Sequence, residues 1–237
     1  QYQAKSFILA VGSTPTFDQH VKEEIGEKLL TSDQIFELPR LPKSIAVIGS
    51  GVIALELAQA LTRFNIETTI FARSRKVGSL TSPKLQTLAQ DELSKELNIK
   101  FEILPSSIKK SGDMINIEYI RDNIHENIKV EYVLAATGRQ SNLNTLNLKN
   151  IDKSFIDFKK LPIHSESKQL AQYPIFVVGD AYTSTPIQHE AANEGRLAVH
   201  NCLNYPNIQS VKTLTPLGIL FSQPQIKKKK KSYKQLS

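Results

Sequence analysis

Cysteine is almost absent from this chain of 237 residues: Cys202 is the single one. One thiol cannot close an internal disulfide or supply a CxxC redox pair or a cysteine-rich metal site. Cys202 follows Ala198-Val199-His200-Asn201 in a stretch of helix-like composition, so it reads as a buried structural thiol. Long apolar runs are missing too. No stretch approaches the ~18 residues that a membrane helix needs, so no membrane partner is expected. The first residues, Gln1-Tyr2-Gln3-Ala4-Lys5, lack both an initiator Met and the apolar core of a signal peptide. They read as the interior of a longer chain. Without disulfides or a signal, the expected location is cytoplasmic.

Acidic residues are outnumbered, giving a formal net charge of +7. Six of the positive charges are Lys227 to Lys231 and Lys234, which leaves +1 for the rest. A block of like charges is usually a solvated, disordered tail. The alternative, an arm for nucleic acid or anionic lipid, has no recognition motif or interleaved aromatic residues behind it, so no nucleic-acid partner is expected. The remaining composition, 40% hydrophobic and 22% charged, is that of an ordinary globular protein.

The clearest local pattern spans residues 45–71. Ile45-Ala46-Val47-Ile48 is an apolar, β-branched run, followed by Gly49-Ser50-Gly51. Val52, Leu55, Leu57, Ala58 and Leu61 then recur at helical spacing, and Glu67-Thr68-Thr69-Ile70-Phe71 reads as a second strand. Strand, glycine turn, helix and strand make a βαβ unit. Beyond it, 83–97 predicts an amphipathic helix with Pro83 in its first turn, and strands are expected at 100–104, 114–120 and 128–135. Residues 5–11 and 175–178 read as buried strands, 188–203 as a helix, and 213–221 as the start of a strand. Thr31-Ser32-Asp33 offers helix caps before Gln34-Ile35-Phe36-Glu37. Pro39 and Pro42 mark a linker at 39–43, and 141–172 reads as polar and irregular.

The turn itself, Gly49-Ser50-Gly51-Val52-Ile53-Ala54, is G-x-G-x-x-A. Gly49 permits the tight turn, Gly51 lets backbone approach a pyrophosphate, and small Ala54 lets helix and strand pack closely. The unpaired N–H groups and dipole of the helix N-terminus favour an anion there. The end of the second strand bears on which dinucleotide binds. An acid would hold the 2′-hydroxyl of NAD. Here the sequence is Phe71-Ala72-Arg73-Ser74-Arg75-Lys76, with no acid and three cations. Arginine pairs well with a phosphate, so the stretch favours NADP. A solvated basic loop is the other reading. Three further strand ends share one theme, backbone that must lie near a ligand: Leu9-Ala10-Val11-Gly12, Ala135-Ala136-Thr137-Gly138 and Val177-Val178-Gly179-Asp180. The last adds a carboxylate that needs polar partners, and a polyhydroxylated ligand would supply them.

On these motifs the chain resembles the pyridine nucleotide-disulfide oxidoreductases, and most of all their dihydrolipoyl dehydrogenase branch. The resemblance runs from Ala4 to Ile226. It implies an α/β, Rossmann-like FAD/NAD(P)-binding fold in which a nucleotide domain is inserted in a partial FAD domain. Residues 1–40 would end a first FAD segment, 41–143 form the NAD(P)-binding domain and 144–204 return to the FAD domain. Residues 205–226 would begin an interface domain, and 227–237 form the lysine-rich tail. The resemblance implies that Gly12, Asp180, Gln188 and His189 lie near FAD, with Asp180 on its ribityl chain. It implies that Gly49, Gly51, Val52, Ile53, Ala54, Glu56, Arg73 and Gly138 line the site of NAD or NADP.

The resemblance also implies electron exchange among a nicotinamide nucleotide, FAD and a dithiol or disulfide substrate, in a homodimer. An NADPH-dependent reductase of a disulfide or a metal ion is the alternative within enzymes, and a non-catalytic NAD(P)-binding module is the alternative of another class. The sequence departs from the family in places. The redox cysteine pair and the His-Glu pair are expected upstream and downstream of these residues, so no catalytic residue and no metal ligand is assigned and the chain alone is expected to be inactive. The family's usual Thr before Gly12 is Val11, and an acid common in the branch is Ala72.

Overall fold

A computed structural model describes residues 3–182, 187–212 and 217–229. In chain order the strands are β1 (Phe7–Leu9), β2 (Ser13–Pro15), β3 (Leu29–Thr31), β4 (Ser44–Ile48), β5 (Glu67–Ala72), β6 (Asn98–Phe101), β7 (Pro105–Ser111), β8 (Met114–Arg121), β9 (Ile124–Val130), β10 (Tyr132–Ala135), β11 (Arg139–Ser141), β12 (Ile175–Val177), β13 (Leu217–Leu220) and β14 (Ile226–Lys229). The helices are α1 (Gln19–Ile25), α2 (Val52–Arg63), α3 (Pro83–Ser94) and α4 (Gln188–Asn204). The chain divides into two compact units, residues 15–138 with 217–237, and residues 1–14 with 139–216.

The first unit is built on a five-stranded parallel sheet of order β3-β10-β4-β5-β6. Its central strand is buried on both faces, as the continuous apolar run in β4 requires. Ile45, Val47, Ile70 and Leu134 face one side and pack with Leu55 and Ala58 of α2 and Leu93 of α3. Ala46, Phe71, Val133 and Ala135 face the other and pack with Ile115, Ile117 and Tyr119 of the antiparallel sheet β7-β8-β9. Each large side chain so buried stabilises the fold by roughly 1.5–3 kcal/mol before entropy is counted. The expected strand at 128–135 is two strands in two sheets. Its break is Glu131, whose N–H donates to the Ser44 carbonyl (3.2 Å) while its carboxylate accepts from Lys43 N (3.2 Å). The sequence carries that change as a switch from alternating to continuous apolar residues.

Other departures lie at the edges. Residues 15–40, expected with a flanking FAD segment, supply α1 and the edge strand β3 to this unit. Asp18 caps α1 by accepting from His20 N (2.8 Å). Gln34–Glu37 forms one 3-10 turn and not an α-helix. Lys227 to Lys229, expected in a solvated tail, form β14, antiparallel to β13. The tail from residue 230 and the beginning of the expected strand at 213–216 lie outside the described residues.

In the second unit β1 and β12 pair in parallel, with Leu9 opposite Val177. Helix α4 packs there through Ala198, beside Phe176 and Val178. Cys202 is half-buried, not fully buried, with Ser6 Oγ 2.8 Å from its Sγ. Apart from Ser141 at the end of β11, residues 141–172 lack regular strands or α-helices, as expected, but they are not simply polar. Short 3-10 turns place Leu143, Leu148 and Phe155, and an isolated antiparallel bridge places Ile163 and Leu170, in a core with Leu161, Ile175 and Val177. Among the described residues no helix is long and apolar enough to cross a membrane.

Candidate functional site

All strands of the central sheet run the same way, so the carboxyl ends of β4, β5 and β10 lie along one edge. From β4 the chain passes through α2 to β5 and through α3 to β6, then returns to lay β10 on the opposite side of β4. The order therefore reverses between β4 and β10. Ligands of open α/β sheets bind at such a switch point, outside the carboxyl ends of the strands.

Gly49 and Ala136 meet there. The ladder continues past both strand ends: Gly49 N donates to the Phe71 carbonyl (2.9 Å) and Ala136 N to the Ile48 carbonyl (3.0 Å). Gly49 has φ +127°, and a Cβ on it would strike the carbonyl oxygen of Ala136, with the carbonyl carbon at 3.0 Å. Glycine is required at this position on two grounds, backbone conformation and space. Gly138, with φ +128°, ends the same segment, its carbonyl accepting from Thr16 N (2.9 Å).

Gly51 differs in kind. Its φ of −73° is open to any residue, and a Cβ on it would meet nothing within 4 Å. It is the N-cap of α2, and among the described residues no side chain caps the N-terminus of that helix. The first N–H groups of a helix lack intrahelical acceptors and carry partial positive charge, so this end is suited to an anion. Val52 is half-buried and Ile53 is exposed beside it, whereas Ala54 is fully buried against the sheet. A loop that sequence reasoning missed closes the same turn: Gly78, with φ +52°, donates its N–H to the Ser50 carbonyl (3.2 Å) and packs near Val52. A lone glycine after the basic run was its only signal.

At the end of β5, Ala72 is buried and Arg73 is exposed. Arg73 makes no hydrogen bond or ion pair among the described residues. Arg75 is committed elsewhere: its guanidinium donates to Gln90 (3.3 Å) and lies 3.9 Å from the Glu102 carboxylate. Glu56, on α2, accepts from Phe221 N (2.7 Å), so one of its oxygens holds the segment after β13. Gln59, one turn further, pairs with Gln223, accepting from its N–H (2.7 Å) and donating to its carbonyl (3.0 Å). Gly49, Gly51, Val52, Ile53, Ala54, Glu56, Arg73 and Gly138 thus all belong to the first unit.

Gly12, Asp180, Gln188 and His189 belong to the second. Gly12 follows β1 with φ +65°, and Gly179-Asp180 follow the neighbouring parallel strand β12, Gly179 with φ +67°. Asn142 ties the first of these ends down, its N–H donating to the Gly12 carbonyl (3.0 Å) and its side chain to Val11 O (2.9 Å). The Asp180 carboxylate, half-exposed, has no partner among the described residues. Gln188 and His189 are exposed in the first turn of α4, and His189 is 3.7 Å from Glu190. Among the described residues no cluster of His, Cys, Asp and Glu could hold a metal ion.

Known proteins resemble this chain in sequence and in fold. The chain is 29% identical over 226 residues to a dihydrolipoyl dehydrogenase of Bacillus subtilis, covering 93% of this chain and 46% of that protein. It is 29% identical over 225 residues to a mercuric reductase of Staphylococcus aureus, covering 94% and 40%. It therefore spans about half the length of the curated relatives it matches. Among solved structures, the flavoprotein disulfide reductase RclA of Escherichia coli superposes with a TM-score of 0.76 at 14% identity, over 98% of this chain and 52% of that one. LpdA of Mycobacterium tuberculosis superposes with a TM-score of 0.72 at 19% identity, over 93% and 47%. At such identities the likeness is one of fold, and it makes the architecture the Rossmann-like one of FAD/NAD(P)-binding reductases. The family model for pyridine nucleotide-disulphide oxidoreductases matches residues 1–195, and the chain belongs to that family.

Proposed function

We propose that this chain carries the nicotinamide-dinucleotide site, and part of the flavin site, of an oxidoreductase that moves electrons among a nicotinamide nucleotide, FAD and a dithiol or disulfide. The observation that carries the reading is the pair of glycines at the switch point. Gly49 is obligatory for the turn, while Gly51 is free of steric demand from the protein and caps a helix whose N-terminus no side chain satisfies. Space and unpaired donors there fit a dinucleotide pyrophosphate. FAD and the nicotinamide supply the hydride and electron chemistry when bound.

The residues of the chain bind and orient. The first N–H groups of α2 hold the pyrophosphate, and Ala54 keeps that helix close to the sheet. Asp180, a carboxylate without a partner among the described residues, follows β12 beside the end of β1 that leads to Gly12, and it fits the hydroxyls of the flavin's ribityl chain. Gln188 and His189 stand at the N-terminus of α4, on the flavin side of the reading. The dihydrolipoyl dehydrogenase name of several relatives makes dihydrolipoamide-like dithiols the first substrate class to test, in a homodimer.

A second reading, an NADPH-dependent reductase of a disulfide or metal ion, has its own observation. Arg73 is exposed, and unpaired among the described residues, at the strand end where an acid would select NAD. One charge-assisted contact to a 2′-phosphate is worth roughly 1.5–3 kcal/mol, about ten- to hundredfold in affinity. Titration of the chain with NADH and NADPH, followed by nucleotide fluorescence, tests both readings: binding of neither overturns the site, and tighter binding of NADH overturns the NADP preference.

A further inference from the structure

We propose that Glu194 is a positioning residue for the flavin, acting through the Gly179-Asp180 turn. The proposal rests on the reading of Asp180 as the ribityl-binding carboxylate.

Glu194 lies on α4 with its side chain 11% exposed. One carboxylate oxygen takes the Lys168 ammonium at 2.8 Å, and the other takes the Gly179 N–H at 2.8 Å. Lys168 is equally enclosed, its side chain 9% exposed, and its backbone is left-handed with φ +65°. That backbone is locked on both sides: its N–H donates to the His164 carbonyl (2.8 Å) and its carbonyl accepts from Val177 N (2.9 Å). The carboxylate therefore links two left-handed residues, Lys168 and Gly179, around the end of β12.

The consequence falls on Asp180. Gly179 before it is pinned by Glu194. Ala181 after it is pinned through its carbonyl, which accepts from Ser141 Oγ, and Tyr182 N closes the turn on the Gly179 carbonyl (3.1 Å). Both neighbours of Asp180 are tied, while its carboxylate has no partner among the described residues. Such an arrangement holds a binding group in place before the ligand arrives, so less freedom is lost on binding. A buried ion pair is a weak source of stability compared with well-packed apolar residues. What Glu194 supplies that a leucine could not is an acceptor for the Gly179 N–H.

Two double variants isolate that acceptor. Lys168→Met with Glu194→Gln removes the charges but keeps an amide oxygen for Gly179. Lys168→Met with Glu194→Leu removes charges and acceptor, leaving an apolar pair that packs. FAD affinity is read by quenching of flavin fluorescence on the whole chain, each variant also being made with Asp180→Asn. The expected result is an affinity near wild type for the Gln pair and about tenfold weaker for the Leu pair, a difference that disappears in the Asp180→Asn background. Equal affinities of the two pairs, or a difference that persists without the Asp180 carboxylate, overturn the proposal. FAD binding unchanged by Asp180→Asn alone, or no binding by the wild-type chain, overturns instead the reading on which it rests, and the proposal with it.

Discussion

Gly49 and Ala136 touch at the point where the order of the central sheet reverses, so closely that no side chain fits between them. One contact thus joins two motifs that lie far apart in the chain, the glycine turn after β4 and the Ala-Thr-Gly after β10. Gly49→Ala would force a Cβ into a backbone carbonyl at φ +127°, where an L-residue is already strained. The expected outcome is a loss of about 3 kcal/mol or more, read as a fall in the urea midpoint at unchanged slope.

Arg73→Glu replaces an exposed cation, unpartnered among the described residues, with an anion. Stability should stay within about 0.5 kcal/mol, since the site is a surface position. NADPH affinity should fall about ten- to hundredfold while NADH affinity changes little. Titrations of both nucleotides against both proteins check this.

Asn201 is fully buried and pins the connection after α4. Its amide donates to the carbonyls of Ser167 (3.1 Å) and Gln209 (2.9 Å) and accepts from Gln209 N (2.7 Å). Asn201→Leu leaves the buried Ser167 carbonyl without a partner, while the backbone groups of exposed Gln209 turn to water. A buried unsatisfied group costs about 1–3 kcal/mol, and a loss of that size is expected in chemical denaturation.

Much of this was legible from residues 45–71, because a buried parallel strand, a glycine turn and a helical stripe each leave a distinct pattern there. Residues 105–130 were harder. β7, Pro105-Ser106-Ser107-Ile108-Lys109-Lys110-Ser111, is mostly polar, since one face of the meander meets solvent and its register is set by β8. The core under 141–172 was missed for another reason: its apolar residues sit on short 3-10 turns and on the isolated bridge between Ile163 and Leu170, with neither helical nor strand spacing. At the site, the glycines and Arg73 announced themselves through local chemistry. The Glu56 contact with Phe221 and the Glu194 contact with Gly179 join residues distant in sequence, and no spacing rule predicts them.

Tyr119 gives the chain a specific alkaline weakness. Burial first, and then its hydrogen bond to Glu126 (2.7 Å), push its phenol from the ordinary 10.0 up to about 12. The unfolded chain loses this proton more easily than the folded one, so the stabilisation is complete below pH 10 and is lost as pH rises towards 12. Urea midpoints should fall over that window, and Tyr119→Phe should flatten the fall. An equally steep decline in the variant would show that another group controls it.

The central claim, a dinucleotide pyrophosphate on the N-terminus of α2, is tested most directly at Gly51. Its backbone conformation suits any residue and a Cβ there meets no protein atom, so Gly51→Val should fold with a thermal midpoint close to that of the wild type. In the proposed complex the same side chain would stand where the backbone must approach the pyrophosphate. The measurement is the dissociation constant of NADPH, and of NADH, for the folded variant. The account predicts at least about a hundredfold loss for both nucleotides. Wild-type affinity in folded Gly51→Val would contradict it.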